Sequence, residues 1–325
     1  MKVFVAGATG AVGRQLVPML VERGHEVTGM TRTPAKQDLI RELGARPAVA
    51  DAFDPEAVAQ AVAEAEPEAV VHELTELTGT FARNIDKAFA TTNRLRTEGL
   101  DHLLAAARAA GARRFIAQSF AGWPSEPTGG PVKTEEDPLQ AHPPKSVSES
   151  FAAIRHVEDT TTQAEGLDGL ALRYGGFYGP GTSLAVDPPG ELIQMIAKRR
   201  VPIIGDGGGI WSLVHIEDAA AATAAAVERG GPGVYNVVDD DPVRVGELMP
   251  EIARLIGAKS PRHLPRWVGR LAGGEAGVLM MTEVRGATND KAKRELGWEP
   301  RYPSWRLGFR KGLEQSDGEP VRSAA

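Results

Sequence analysis

Lys2-Val3-Phe4-Val5-Ala6-Gly7-Ala8-Thr9-Gly10-Ala11-Val12-Gly13-Arg14-Gln15-Leu16 opens the chain and decides its fold. A β-branched, apolar run (Lys2 to Gly7) reads as a buried strand, and the stretch from Ala11 to Arg23 reads as a helix. Between them lies Gly-x-x-Gly-x-x-Gly. Glycine lets the backbone turn tightly and come close to a pyrophosphate, whose charge then faces the free N–H groups at the helix start. A Gly-rich string can be no more than a turn. Strand before and helix after make it a dinucleotide cradle, with Gly7, Thr9, Gly10, Ala11, Val12 and Gly13 as its contacts.

Outward from that stretch, strands and helices alternate. Strands are predicted at His25–Arg32, Arg46–Asp51, Glu68–Glu73, Arg113–Ser119 and Leu170–Gly175. Helices are predicted at 34–43, 55–64, 91–110 and 148–165. Such spacing implies right-handed βαβ units, hence an α/β chain of the Rossmann type: a doubly wound parallel sheet with helices on both faces. The Rossmann domain is placed at 1–178, with strands near 212–240 rejoining it. Segments 179–205 and 240–315 are left for a smaller C-terminal substrate lobe. The Pro- and Gly-rich stretch 122–145 is too long for an idle connection and reads as the wall of a site.

Composition narrows the function. The 325 residues carry 37 Lys and Arg against 43 Asp and Glu, a net charge of −6, and no Cys. No cysteine means no disulfide framework, thiolate metal site or cysteine nucleophile, and no metal site is expected. The acidic balance gives no basic footprint for nucleic acid. No apolar run approaches a membrane span or a signal-peptide core, so a soluble, cytoplasmic protein acting on a small molecule is expected. Self-association as a homodimer is left open.

The end of the second strand speaks to the coenzyme. NAD-binding chains of this build end it with an acid for the ribose hydroxyls. Here it reads Thr28-Gly29-Met30-Thr31-Arg32-Thr33, and the Arg32 fork suits a 2′-phosphate, so NADP is expected. A surface Arg is the plainer alternative. Asp51, with Ala52 beside it, is placed against the adenine.

These residues resemble the short-chain dehydrogenase/reductase superfamily in its extended, epimerase/dehydratase-like branch. The resemblance rests on GATGAVG, VVHELT (70–75), Asn93, RRFIAQSFAGW (113–123), LRYGGFYGPG (172–181), SLVHIEDAAAA (212–222) and DKAKRELGWEP (290–300), and covers nearly the whole chain. It implies coenzyme contacts at Leu74, Thr75, Ser119, Arg155, Tyr174, Gly176 and Phe177. It also implies a Ser after the fifth strand and a Tyr-x-x-x-Lys pair on the helix after the long loop, the acid/base machinery of the family. This chain departs there. Phe120 falls at the Ser position, with Ser119 one residue earlier, and Phe151 and Arg155 fall at the Tyr and Lys positions. No shift of register restores the pair: Tyr174, Tyr178, Tyr235 and Tyr302 are followed four residues on by Tyr178, Thr182, Asp239 and Arg306.

Ser119 and Tyr178 are therefore the candidate proton donors, with His215, Ser146, Ser148 and Lys145 as further options. His72 reads as structural. Trp211 stands where sugar-nucleotide members carry an Arg, so Phe120, Trp123, Phe151 and Trp211 are read as an apolar substrate pocket, with ordinary core packing as the alternative. The expected function is NADP-linked reduction of a small apolar or aromatic carbonyl, imine or enone with a non-standard donor. A non-catalytic NADP-binding redox sensor, or a cyclase or lyase on the same fold, stands as the alternative.

Overall fold

In the computed structural model, residues 1–77, 84–122 and 124–315 are described. Trp123 lies outside the described residues, so its place in the pocket is not addressed. Seven parallel strands form the sheet: β1 (Lys2–Ala6), β2 (Glu26–Thr31), β3 (Arg46–Val49), β4 (Ala69–His72), β5 (Arg114–Phe120), β6 (Asp168–Tyr174) and β7 (Gly233–Val237). Their order is β7-β6-β5-β4-β1-β2-β3. The order reverses between β1 and β4, which opens a crevice beyond the strands' carboxyl ends.

Period-two alternation sends side chains to two helical layers. Val3 and Val5 meet α1 (Ala11–Glu22) and the alanine-rich α5 (Ile216–Glu228), whose small side chains allow close approach. Phe4 and Ala6 meet the opposite layer, where α2 (Pro55–Ala65), α3 (Leu100–Ala109) and α4 (Ser148–Thr162) bury Val58, Leu103 and Val157. The helix predicted at 91–110 is broken: a helical turn at Ala90–Arg94 runs into a π-helical segment at Leu95–Gly99 before α3 begins. There the Leu95 carbonyl accepts the Nε2–H of His72, at the end of β4, at 3.0 Å. The helix predicted at 34–43 starts as a 3₁₀ turn, Pro34–Lys36.

A third core gathers Ile193, Ile203, Leu248, Ile252, Trp305 and Phe309 from widely separated parts of the chain, over the carboxyl ends of the strands. Leu213–His215 does not enter the main sheet; it pairs with Gly176–Tyr178 as a separate two-stranded element. Among the described residues, no helix is long and apolar enough to cross a membrane.

Candidate active site

A cavity of about 750 Å³ runs along the crevice from the glycine loop to the third core. At its floor Gly7 adopts φ +98°, and a Cβ there would stand 2.7 Å from the Glu73 carbonyl oxygen. A Cβ on Gly13 would stand 2.2 Å from the Gly7 oxygen, so Gly13 lets α1 seat under the loop without itself lining the cavity. Gly10 caps α1 with no side chain bonded to the first N–H groups and no acid in the first turn. The helix start is left to face an anion.

At one end the cavity is lined by Thr31, the last residue of β2, by Arg32, Thr33 and Lys36 beyond it, and by Asp51, Ala52 and Phe53 after β3. Arg32 donates to Glu76 at 2.8 Å, and both side chains are largely in solvent. Lys36, which the sequence reading passed over, has no ion pair among the described residues. Asp51 accepts the Phe53 N–H at 3.0 Å.

At the other end Leu74, Thr75, Gln118, Phe120, Gly176, Phe177, Trp211 and Met280 line the wall. Trp211 is fixed by an Nε1–H bond to the Met280 carbonyl at 2.8 Å, which leaves its ring as apolar surface. Arg96, from the π-helical segment, also lines the cavity.

Several expected site residues lie elsewhere. Gln118 and Phe120 face the cavity, so Ser119, between them on β5, faces α4. It donates to Glu158 at 2.7 Å, and Glu158 is gripped through both oxygens by Arg173, each at 2.7 Å. Ser119 thus completes a buried ion pair. Tyr178 lies in a smaller cavity of about 180 Å³, stacked on Phe309 (5.4 Å) and edge-on to His215 (5.1 Å). Burial raises its phenol far above the ordinary range. His215 accepts the Glu217 N–H as the cap of α5, and burial lowers it to about 4. Neither Ser146, Ser148 nor Lys145 lines the main cavity.

Arg155 turns away from the cavity to bond the Leu139 and Gln140 carbonyls, tying down the long loop. Phe151 is fully buried with Ile85, Val147, Ile154 and Leu279, as core. Tyr174 points to the α5 face and lies 2.7 Å from Glu73 Oε1 and 2.6 Å from Thr223 Oγ1. Thr223 donates to the Ala219 carbonyl at 2.8 Å. The Tyr174 hydroxyl donates to Glu73, and burial, which outweighs that bond, raises the Glu73 carboxyl to about 8. Glu73 was not singled out in the sequence because a carboxylate at the end of a strand reads as a surface group.

The architecture and the glycine cradle define a dinucleotide-binding protein of the Rossmann type. Residues 3–237 match the NAD dependent epimerase/dehydratase family. A 3-diazoavenalumate denitrifying reductase from a Streptomyces species is 42% identical over 95% of this chain and 99% of its own. A 2-alkyl-3-oxoalkanoate reductase from Stenotrophomonas maltophilia is 27% identical over 79% of this chain and 76% of its own. A UDP-glucose 4-epimerase from Thermus thermophilus, in complex with NAD, superposes with a TM-score of 0.72 at 26% identity, covering 98% of this chain and 99% of that one.

The chain belongs to the NAD dependent epimerase/dehydratase family. It is an enzyme, an NAD(P)-dependent reductase. The cradle fits that coenzyme: Gly7 leaves room where any side chain would strike backbone, and the α1 amides carry no internal cap.

Proposed function

We propose that the protein uses NADPH to reduce a small aromatic diazo compound, releasing dinitrogen. The carrying observation is the character of the far end of the cavity. Phe120, Phe177, Trp211 and Met280 offer flat and apolar surface, while Ser119, Tyr178, His215, Ser146, Ser148 and Lys145 do not line it, and Glu73, which does, has its carboxyl engaged by the Tyr174 hydroxyl. A ketone becomes an alkoxide on hydride addition and needs an acid beside it. A diazonium group does not: it is already cationic and leaves as a neutral gas.

In the balanced reaction, the hydride pair forms the new C–H bond and the C–N pair departs with N₂. NADPH becomes NADP⁺. When bound, the reduced nicotinamide supplies the hydride; the protein's task is to orient a planar ring and exclude water. The 42% identity to a reductase named for a diazo acid supports the same substrate class. Leu74, Thr75, Gly176 and Phe177 would flank the nicotinamide half. Arg32, with Thr33 and Lys36 beside it, supports NADP over NAD, and Asp51 and Ala52 would meet the adenine.

The test uses 4-carboxybenzenediazonium with NADPH carrying deuterium at the transferable position. Enzyme-dependent NADPH oxidation with deuterium in the benzoate ring is expected. Turnover of simple ketones, with no benzoate above the enzyme-free blank, would overturn the proposal.

A further inference from the structure

Among the described residues, Arg96 is the one cavity-lining cation that is buried, at 3% exposure. Its Nε and Nη1 have no hydrogen-bond partner there, and no carboxylate pairs with it. The contrast is Arg173, equally buried, which has Glu158 as its bidentate partner. Burial with no counter-charge lowers the Arg96 guanidinium to about 10. A buried guanidinium left without acceptors loses hydration and gains nothing within the protein, so the fold bears a cost there that packing does not require.

Its position is fixed by the chain. Leu95, one residue earlier, is bonded to His72 at the carboxyl end of β4, on the β5 side of the crevice, while Gly99, at the end of the same π-helical segment, packs towards Ala52. His72 offers no negative charge: it is buried, pushed towards its neutral form, and donates to the Leu95 carbonyl. The π-helical turn is what carries Arg96 into the cavity, since such turns insert a residue and re-aim those around it.

We propose that Arg96 is an anion anchor at the substrate end of the cavity and takes the carboxylate of the aromatic substrate. This deepens the reading of a small aromatic substrate at the same site and rests on it. The guanidinium fork matches a carboxylate through two parallel N–H···O bonds, and a site that excludes water makes such bonds strong. An oxyanion here would satisfy the two orphaned donors and set which end of a planar acid faces inward. The same chemistry is present in the coenzyme's diphosphate, so the test must separate the two sources.

The probes are 4-hydroxycinnamate and its methyl ester, titrated by calorimetry into the protein saturated with NADP⁺. The unaltered protein should prefer the acid, and Arg96→Met, which keeps the length and removes the charge, should weaken the acid by about ten- to a hundredfold. Ester and NADPH affinities should not change, and melting temperature should hold or rise. Arg96→Lys should recover part of the acid binding.

No preference for the acid in the unaltered protein, or an equal loss of acid and ester in Arg96→Met, overturns the proposal. A loss of NADPH binding would assign Arg96 to the coenzyme instead, and a marked fall in melting temperature would make it structural. Because this readout is binding, it can succeed even if no diazo substrate is turned over, which separates it from the reaction proposed above.

Discussion

Coenzyme choice turns on a contact already present, the Arg32–Glu76 pair. At 58% and 41% side-chain exposure, such a pair is worth about 1 kcal/mol or less, because solvent screens it and both side chains lose freedom. A charge-assisted bond from Arg32 to a 2′-phosphate is worth about 1.5–2 kcal/mol at this exposure. The phosphate should therefore displace Glu76. Less the cost of displacing Glu76, Arg32→Ala is expected to weaken NADPH by about 2- to 30-fold and leave NADH nearly unchanged. Glu76→Gln should act in the opposite sense, tightening NADPH up to about fivefold, because it removes both a competitor for Arg32 and a like charge. Nicotinamide fluorescence titrations of both coenzymes, at low and high salt, measure this directly, and the preference for NADPH should shrink with added salt. Equal losses for the two coenzymes in Arg32→Ala, or weaker NADPH binding in Glu76→Gln, would refute the reasoning.

Two further outcomes follow from groups around the cavity. Ser119→Ala should cost about 1–3 kcal/mol of stability, since Glu158 loses a buried donor, while turnover and NADPH affinity stay as they were; a large fall in kcat at normal stability would put Ser119 back on the reaction. Glu73, raised to about 8 by burial, should make the fold less stable as pH rises from about 4.5 to 8, because only the unfolded chain ionises there, by on the order of 3–5 kcal/mol. Glu73→Gln keeps a carbonyl acceptor for the Tyr174 hydroxyl and should remove that slope, gaining on the parent at pH 8 and not at pH 5 in urea melts. A parallel loss at both pH values would show that Glu73 is ionised in the folded protein.

How far the site was legible depended on strand parity. The strand from Arg113 was readable from its β-branched and aromatic residues, but its last residue was not, and one residue of register exchanges the two faces of a sheet. Hence Phe120 lies in the cavity and Ser119 behind it. The same applies to Tyr174, which ends β6 and turns to α5, while Phe177 reaches the cavity. Arg155 is on the expected helix, yet its partners are carbonyls of a loop whose path no local pattern encodes. Arg96 could have been noticed: it falls on the buried stripe with Gly99, Leu100 and Leu103, where a charge has no ordinary place.

The glycine spacing after the first strand, the alternation of elements and the missing acid at the end of β2 are local properties, carried by neighbouring residues, and they determined the parallel fold, the cradle and the expectation of a phosphate-bearing ribose. Which side chains meet across the crevice was decided only by tertiary structure. The β1–β4 gap, the π-helical turn and the third core bring together residues far apart in the chain, and the free energy that selects among those meetings comes from burial and charge pairing between elements rather than within them.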